Sequence, residues 1–471
     1  MDLHVRLDAA EGHTASIYRE LLDAIRDGRL LPNERLPSSR DLAKTLGVAR
    51  GTVSTAYDRL TSEGFVIARA GSGTYVSNEA RPERDRHARA GGQAEAASVW
   101  RHLPPGIGEP PERTYDLSVG GPDNSLFPLA RWRRVVSATL RNSLINSPVY
   151  DVTRHPLQGE VARYLGQSRS VQAGPDDVLL TNGAQQGIDL CSRVLLTPGD
   201  RVAVESPGYT AAIRLFASHG ARIAAVPVDE EGLVVDQLPG DAKIIYVTPS
   251  HQFPTGAVMS LRRRIALLDW AAAHGAVVVE DDYDSEFRYA DRPLEPLQSL
   301  DPDGLVVYVG SFSKILHPML RVGYLIAPTT LQTSLSTAKQ LTDWQGDATT
   351  QGALARFLHE GQLSAHLRRS LKVYRARRDA LLSELSALAD DGLVEVLPSA
   401  AGLHVCVRLP EAVDDLAVTR AAADLDLTVE PVSPRFVGGT PWPGLALGFR
   451  HIDVDRIPAA IQLLRRALRA R

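Results

Sequence analysis

The sequence predicts a multi-domain protein in which a small helical segment with a hairpin precedes a large α/β domain. Its 471 residues exceed what one core usually holds, and suggest about three folding units of ~150 residues. Apolar side chains follow a helical spacing in residues 1–77, whereas from about residue 115 short apolar runs alternate with helical patterns. Between these parts, residues 78–114 are polar and rich in proline and glycine, which is typical of a linker.

The composition is that of an ordinary globular protein. The chain has 44% hydrophobic residues, 23% charged residues and a formal net charge of -4. No apolar run approaches the ~18 residues of a membrane span, and the N-terminus lacks the apolar core of a secretory signal, so we expect a cytosolic protein. The two cysteines, Cys191 and Cys406, have no CxxC or histidine-paired spacing, which argues against a disulfide framework and a metal site.

The N-terminal segment shows three short helical patterns and two strands. The helical patterns end at Gly28, Gly47 and Gly64, and glycine is a usual helix stop. Strands predicted at residues 65–69 and 74–76 flank Gly71-Ser72-Gly73, a composition typical of a hairpin tip. This order of elements predicts a winged helix-turn-helix. Lys44 and nine arginines are balanced by ten acidic residues in positions 1–77, so charge alone does not predict a nucleic-acid partner.

The second part predicts a largely parallel sheet with a site at the carboxyl ends of its strands. Strand candidates occur at residues 178–181, 202–205, 223–228, 244–248, 277–280, 306–310 and 322–327. Polar loops follow four of them directly and begin at Asn182, Pro207, Asp281 and Ser311. Because ligands of open α/β sheets bind at this edge, we expect the four loops to converge on one site. From about residue 361 a basic helix (367–385) and strands at 394–397, 402–408 and 445–449 predict a smaller α+β part.

Lys314 is the candidate nucleophile of this site. It follows an apolar strand, where a partly desolvated amine can react with an aldehyde. A carbonyl cofactor with a ring nitrogen also needs an acid facing that nitrogen and a phenol near the ring oxygen, and Asp281 and Tyr283 supply these groups. An isolated lysine would be a solvated loop residue, and it is the neighbouring groups that favour the chemical interpretation. Residues 311–314 also match the SxxK motif of penicillin-interacting enzymes, but no SDN or KTG partner occurs.

A phosphate site and a stacking residue complete the candidate set. Gly183, Ala184 and Gln185 open a predicted helix whose free N–H groups suit a phosphate, with Arg321 and Ser311 beside it. Tyr209 follows another strand and is a candidate for stacking on a cofactor ring. Taken singly, Tyr209 and Ser311 fit packing or loop positions as well as ligand positions.

Long motifs in both parts resemble known families. The segments LPSSR (36–40), Thr52-Val53 and GSGTYV (71–76) resemble the winged helix of the GntR superfamily. The segments VTPSHQFPTG (247–256), EDDYDSEFRY (280–289) and GSFSKILHPMLRVGY (310–324) resemble a fold-type I aminotransferase. Their fusion resembles the MocR/GabR family of transcription regulators that depend on pyridoxal phosphate, and this resemblance covers nearly the whole chain apart from the linker.

The resemblance implies a role for each candidate residue. Lys314 would form the Schiff base with pyridoxal phosphate, Asp281 would face the pyridine nitrogen, Tyr283 the ring oxygen and Arg321 the phosphate. Sites of this fold type borrow residues across a dimer interface, which implies a homodimer in which Tyr150 reaches the partner's phosphate. For DNA, the resemblance implies that Arg50 and Thr52 reach base edges at the start of the recognition helix.

Other positions of the winged helix suit the DNA backbone or the minor groove. We expect such contacts from Arg40, near the start of the second helix, and from the wing tip at Gly71 and Gly73. An exposed arginine is usually only solvated, so the resemblance and not the charge selects these positions.

Two departures from the family pattern bear on function. Aminotransferases bind the substrate carboxylate with an arginine on a late strand, but the stretch GLALGF (444–449) has Ala446 at that position. Arg450 lies four residues further along and is too distant to substitute for it. Phe253 stands where aminotransferases commonly place an asparagine beside the cofactor ring. These departures predict weak transamination and argue against an α-carboxylate ligand.

Three hypotheses follow. The preferred one is a regulator that binds promoter DNA and senses pyridoxal phosphate itself or a small amine, as family members that control vitamin B6 synthesis do. The second is an active aminotransferase that carries a winged helix. The third is a DNA-binding protein whose aminotransferase-like part is only a dimerisation scaffold without cofactor.

Overall fold

A computed structural model describes residues 12–69, 71–78, 95–103, 113–141, 155–289 and 295–470. It divides into two compact units, residues 1–95 and 96–471. Part of the predicted linker, residues 79–94 and 104–112, lies outside the described residues, as does Tyr150. The described remainder of that linker contains a short helix, α4, over Ser98–His102. Among the helices of the described residues, none is both long and apolar enough to cross a membrane.

The first unit has the predicted three helices and hairpin. Its elements are α1 (His13–Arg26), α2 (Ser39–Leu46), α3 (Arg50–Ser62), β1 (Val66–Arg69) and β2 (Gly73–Val76). The Ser38 hydroxyl accepts the Asp41 N–H at 3.1 Å and caps α2, and Gly47 ends the helix with a φ of 66°. Ile17, Val53 and Val76 are fully buried in one core, so helices and hairpin stabilise one another.

The second unit is built on an eight-stranded sheet. Its strands are β4 (Val178–Thr181), β5 (Arg201–Ser206), β6 (Arg222–Asp229), β7 (Gly232–Leu233), β8 (Ala242–Val247), β9 (Val277–Asp282), β10 (Val306–Ser311) and β11 (Gly323–Ile326). A two-residue strand, β3 (Tyr115–Asp116), precedes them in the chain. The sheet order is β4-β11-β10-β9-β8-β5-β6-β7, and the five strands from β10 to β6 are parallel. This confirms the predicted largely parallel sheet.

Helices cover both faces of this sheet because its strands are apolar on both sides. Val202 and Val204 pack on one face with Phe216, whereas Ala203 packs on the other with Leu267. The helices that precede the C-terminal part are α5 (Leu129–Arg141), α6 (Pro156–Arg169), α7 (Ala184–Leu195), α8 (Thr210–Ser218), α9 (Leu261–His274), α10 (Leu297–Leu300), α11 (Thr329–Asp343) and α12 (Ala348–His359). Two buried layers therefore hold the strand ends in fixed positions.

The C-terminal part forms a smaller α+β layer, as predicted. The remaining elements are α13 (Gln362–Asp390), β12 (Glu395–Val396), β13 (His404–Arg408), α14 (Asp415–Asp424), β14 (Leu427–Thr428), β15 (Glu430–Pro431), β16 (Gly444–Gly448) and α15 (Ile457–Arg469). Strands β12, β13, β16 and β15 form an antiparallel sheet, and β14 pairs with β3. The pairing of β14 with β3 places residues 117–121 beside the small sheet, where Gly448 N–H donates to the Leu117 carbonyl at 2.8 Å.

Candidate functional site

The loops that follow β4, β5, β9 and β10 meet at one cavity of about 360 Å³. Each of the four contributes lining residues, so the structure brings together the loops that sequence reasoning placed at one edge. The predicted residues that line the cavity are Gly183, Ala184, Gln185, Tyr209, Asp281, Tyr283, Ser311, Lys314 and Arg321. Tyr150 is the exception, because it lies outside the described residues.

Lys314 reaches the cavity from the turn that follows β10. Its Nζ donates to the Gly120 carbonyl and lies 6.0 Å from the centroid of the Tyr283 ring. Burial lowers the pKa of the Lys314 amine, an effect that nearby Arg450 reinforces and Asp284 and Asp281 oppose. A lowered pKa increases the neutral fraction of the amine, which is the form that attacks an aldehyde.

Asp281 is the penultimate residue of β9 and has one carboxylate oxygen paired and one unpaired. Oδ2 accepts the hydroxyl of Tyr246 at 2.6 Å. Oδ1 is buried and has no hydrogen-bond partner among the described residues. Burial raises the pKa of Asp281 to about 6. A buried acceptor without a donor is costly, so this oxygen is suited to a ligand N–H.

The start of α7 forms an anion cradle beside Arg321. Gly183 has a φ of 87°, and a Cβ there would lie 3.4 Å from the Arg321 guanidinium. Arg321 donates to the Asn182 carbonyl at 2.7 Å, which holds the guanidinium against the helix start. No acceptor within the described part of the chain takes the N–H groups of Ala184 and Gln185. Two free N–H groups, a helix dipole and an arginine suit a phosphate.

Ser311 and Tyr209 also line the cavity. The Ser311 hydroxyl donates to Ser313 Oγ at 2.9 Å and accepts the Ser313 N–H at 3.0 Å, which shapes the turn before Lys314. Tyr209 is 37% exposed and meets the Phe253 ring edge-on, with centroids 5.9 Å apart. Tyr209 is therefore partly open where it lines the cavity.

A buried polar cluster lies behind Tyr283. The Tyr283 hydroxyl donates to the His251 carbonyl at 2.9 Å, and His251 Nδ1 lies 3.1 Å from Asp284 Oδ1. Burial lowers the pKa of His404 well below its usual value, and its Nε2 lies 2.9 Å from the Pro254 carbonyl. Ligand-type atoms of His251, Asp284 and His404 lie within 4.8 Å of one another, but hydrogen bonds already engage all three residues. The cluster therefore holds Tyr283 at the cavity wall.

Sequence reasoning missed several residues of the cavity. Tyr246, Thr248, Glu430 and Arg435 all line it. Tyr246 is the one hydroxyl-bearing residue in the otherwise aliphatic run of residues 244–247, and that contrast was an available signal. Glu430 and Arg435 belong to a two-residue strand and a short turn, where no periodicity marks a site.

The two positions that depart from the aminotransferase pattern, Phe253 and Ala446, lie in different places. Phe253 lines the cavity, with its centroid 6.2 Å from that of Tyr283. Ala446 has no exposed surface and lies outside the cavity wall. Arg450 donates to the Ser118 hydroxyl at 3.0 Å instead of lining the cavity.

In the first unit, the predicted DNA-binding residues lie on exposed parts of the surface. Arg50 is exposed at the first position of α3, where its Nε donates to the Ser39 hydroxyl at 3.3 Å. Arg40 is exposed and Thr52 half-buried near the starts of α2 and α3. Gly71 and Gly73 form the hairpin tip with φ of 72° and 121°. The φ of Gly73 is one that side-chain-bearing residues rarely adopt, so the tip favours glycine there.

Comparisons with known proteins agree with both units. Residues 13–76 match the gntR family of bacterial regulatory proteins, and residues 115–432 match aminotransferase class I and II. The chain is 34% identical to the probable rhizopine catabolism regulatory protein MocR of Rhizobium meliloti, over 96% of this chain and 93% of that protein. It is 36% identical to the pyridoxine biosynthesis transcriptional regulator PdxR of Corynebacterium glutamicum, over 97% and 96%.

A solved structure supports the fold of the second unit. The α-aminoadipate aminotransferase LysN of Thermus thermophilus, complexed with N-(5'-phosphopyridoxyl)-L-leucine, has a TM-score of 0.69 and 31% identity, covering 79% of this chain and 95% of LysN. The GntR-type helix-turn-helix, the aminotransferase-type domain and the full-length similarity to two regulators lead to one conclusion. This chain belongs to the MocR-type family, in which a GntR helix-turn-helix domain is followed by an aminotransferase class I and II domain.

Proposed function

We propose that the protein is a transcription regulator that binds promoter DNA through residues 1–77 and pyridoxal phosphate through Lys314. The cofactor assignment rests on one observation above all. The Oδ1 atom of Asp281 is buried and has no hydrogen-bond partner among the described residues, and Asp281 lines the same cavity as Lys314. The pyridinium N–H of the cofactor would supply the missing donor. An aldehyde within reach of Lys314 and a phosphate against Arg321 would then use the other two features of the cavity.

Each lining residue has a role that its contacts support. Gly183, Ala184, Gln185, Ser311 and Arg321 would bind the phosphate, and Lys314 would hold the aldehyde carbon. Bound pyridoxal phosphate supplies an aldehyde that exchanges between amines and a ring that withdraws electrons.

Three further groups would act on the cofactor ring. Tyr246 keeps Asp281 oriented through its 2.6 Å hydrogen bond. Tyr209 would stack on the ring, and Tyr283, whose hydroxyl is held by the His251 carbonyl, would lie near the ring oxygen.

The signal that fits this cavity is pyridoxal phosphate itself, or an amine that reacts with it. Ala446 leaves no arginine at the position where aminotransferases bind an α-carboxylate. PdxR, a full-length relative, is named for the regulation of pyridoxine biosynthesis, and this supports a role in controlling vitamin B6 synthesis. A regulator that binds promoter DNA acts in the compartment that holds the chromosome, so we propose that the protein is cytosolic.

The proposal includes a homodimer. Tyr150 would bind the phosphate of the partner subunit, so the dimer would complete each site. The mass of the cofactor-loaded protein in light scattering tests this assignment. A monomer that retains the cofactor would contradict it.

A DNA titration tests the signal. Cofactor-free protein is titrated with pyridoxal phosphate alone while its affinity for its own upstream region is measured. A change in affinity with the cofactor alone supports a vitamin B6 sensor. If affinity changes only after an amino acid is added, the cofactor is a reagent for detecting that amino acid and the proposed signal is wrong.

A second candidate function is an active aminotransferase. The presence of Lys314, Asp281 and Arg321 in one cavity favours this activity. It is opposed by the fully buried Ala446, which stands where aminotransferases have the arginine that binds the substrate carboxylate. Repeated turnover with an amino donor and a keto acid would establish this activity. We expect at most a single slow conversion of the bound cofactor.

Asp281→Asn tests the acid that faces the ring nitrogen. A hydrogen bond to a charged group contributes ~1.5–3 kcal/mol, so we expect pyridoxal phosphate to bind roughly 10- to 150-fold more weakly. Because burial raises the pKa of Asp281 to about 6, the carboxylate is charged above that pH and neutral below it. The difference in cofactor affinity between wild type and variant should therefore shrink as the pH falls below about 6.

Asp241→Asn is the matched control for this experiment. Asp241 directly precedes β8, at the amino-terminal end of that strand and away from the cavity. It pairs with Arg201 at 2.7 Å on the surface. Its replacement should leave cofactor affinity unchanged, as measured by equilibrium dialysis. Equal losses in the two variants would contradict the assignment of Asp281.

Arg50→Ala tests the DNA interface. Loss of a base contact costs ~1–3 kcal/mol, so we expect roughly 5- to 150-fold weaker binding to the upstream region and a reduced preference over unrelated DNA. Arg59→Ala, in the last turn of the same helix, is the control because Arg59 pairs with Glu63 at 3.0 Å. Fluorescence anisotropy with both DNAs measures the two effects, and an Arg50→Ala protein with unchanged preference would reject the assignment.

A further inference from the structure

Position 446 is closed to a long side chain. Ala446 is fully buried in a small apolar cluster with Cys406 and Val432. Val119 and Trp442 pack against the same cluster. An arginine at this position would have to displace these neighbours before it reached the cavity. The missing arginine is therefore part of the packing of this chain and not a vacancy in the site.

An arginine enters the cavity from a different element. Arg435 ends the short turn that follows β15, and both Arg435 and Lys314 line the cavity. The Arg435 guanidinium carbon lies 4.7 Å from the centroid of the Phe253 ring. Its backbone carbonyl accepts the Gly208 N–H at 3.1 Å, which anchors the turn to the loop after β5. Its side chain is 15% exposed and its Nε has no hydrogen-bond partner among the described residues.

Glu430 holds this arginine. Glu430 lies directly opposite Ala446 in the pairing of β15 with β16, so the two side chains share a face of the small sheet. Its Oε2 forms an ion pair with Arg435, and its Oε1 accepts the Val119 N–H at 2.9 Å. Both carboxylate oxygens are therefore occupied. Burial raises the pKa of Glu430, while the charges of Arg435, Arg450 and Lys314 oppose that shift.

The pair changes what the cavity can bind. A lone arginine would bind a ligand carboxylate with two N–H groups. Here the Glu430 carboxylate already compensates the charge of Arg435. The carboxylate of a ligand would therefore be repelled by Glu430. Like charges placed together disfavour binding of the wrong ligand.

We infer that Glu430 is a specificity-determining residue that withholds Arg435 from ligand carboxylates, so that the site admits amines without an α-carboxylate and excludes amino acids. The inference rests on the proposed binding of pyridoxal phosphate at Lys314. Glu430 acts through Arg435 and is a positioning residue.

L-alanine and ethylamine are the probes, because they carry a primary amine on the same two-carbon unit and differ in the carboxylate. Each is titrated into cofactor-loaded protein, and the change in cofactor absorption gives an apparent Kd. The wild type should bind alanine no more tightly than ethylamine. Glu430→Gln keeps the size and the acceptor for Val119 but removes the charge that engages Arg435. In this variant the alanine-to-ethylamine affinity ratio should rise by about tenfold or more.

Two further variants make the result specific to Arg435. The gain should disappear in Glu430→Gln/Arg435→Gln, because no arginine is left to bind the carboxylate. Arg435→Gln alone should lower the ratio, because the uncompensated Glu430 carboxylate then faces the ligand carboxylate. The double variant should keep the wild-type ratio, and it decides the question if Glu430→Gln does not load with cofactor. A wild type that prefers alanine, a gain that survives in the double variant, or an unchanged ratio in loaded Glu430→Gln overturns the inference.

Failure of the proposed function gives a different result. Borohydride treatment of the wild type, followed by mass measurement of the Lys314 peptide, reports whether the cofactor is bound there. Absence of the adduct rejects the proposed cofactor site itself. Presence of the adduct together with an unchanged ratio rejects only the role of Glu430.

Discussion

Replacing Lys314 by alanine is expected to abolish covalent retention of pyridoxal phosphate and, with it, the response of DNA binding to the cofactor. Among the described residues, Lys314 is the only lysine that lines the cavity, and burial lowers the pKa of its amine. The described part of the cavity wall has no other amine to replace it, so we expect no borohydride-trapped adduct in the variant. The remaining phosphate and ring contacts would still bind the cofactor reversibly.

Lys243→Ala is the matched control, because Lys243 is an exposed lysine on β8. Its adduct yield and DNA response should equal those of the wild type. Intact mass after reduction measures the adduct, and DNA affinity with and without cofactor measures the response. An adduct that persists in Lys314→Ala would place the cofactor on another amine. A variant that still responds to cofactor through DNA affinity would show that the covalent link is not part of the signal.

The fold could be predicted because its strands carry a strong local pattern. The strand predicted at residues 277–280 is observed as β9, over Val277–Asp282. The strand extends to the two aspartates because their backbones continue to pair with β10, where Asp281 lies opposite Val309. Hydrophobic patterning indicates the apolar part of a strand, and tertiary pairing determines its polar end.

The long helix of the C-terminal part shows the same limit. Its basic centre predicted residues 367–385, whereas α13 spans Gln362–Asp390. Gly361, with a φ of 69°, precedes the first turn, and each added end has only one buried leucine, Leu363 or Leu388, among polar and small residues. Helix ends depend on caps and neighbours that periodicity does not detect.

The candidate site could be predicted where chemistry follows a strand end, and not where packing brings distant segments together. Lys314, Asp281 and Arg321 stand in long motifs beside strong strands. Glu430 and Arg435 approach the cavity because β15 pairs with β16 and because a turn contacts Gly208. Neither contact leaves a pattern in the sequence around those two residues.

Breaking the buried ion pair of Arg169 with Asp282 is expected to destabilise the second unit strongly. Arg169 ends α6, and its Nε donates to Asp282 Oδ2 at 2.9 Å. A second N–H donates to the Ser250 hydroxyl at 2.9 Å, and the Tyr308 hydroxyl also donates to Asp282. The side chains of the pair are only 3% and 2% exposed. Removing one partner leaves the other charge buried without compensation, which costs ~3–5 kcal/mol.

Arg169→Ala should therefore lower the free energy of unfolding of this unit by roughly 3–5 kcal/mol. Arg163→Ala is the matched control on the same helix, since Arg163 is 48% exposed and pairs with Glu160 on the surface. Such surface pairs contribute ~0–1 kcal/mol, so the control should unfold nearly like the wild type. Urea unfolding followed by near-ultraviolet circular dichroism measures both variants. Equal midpoints for the two would mean that the buried pair contributes no more than a surface pair.

The same pair predicts a dependence on pH. Burial alone would raise the pKa of Asp282, but the charge of Arg169 and the hydrogen bond from Tyr308 hold that pKa below its usual value. A carboxylate with a lowered pKa stabilises the folded state above the pKa of the unfolded chain, which is ~4, and this stabilisation is lost as the pH falls further. The stability difference between wild type and Arg169→Ala should therefore be constant near neutral pH and narrow in acid. Asp282 adjoins Asp281 in β9, so loss of the pair should also weaken cofactor binding, whereas Arg163→Ala should leave it unchanged.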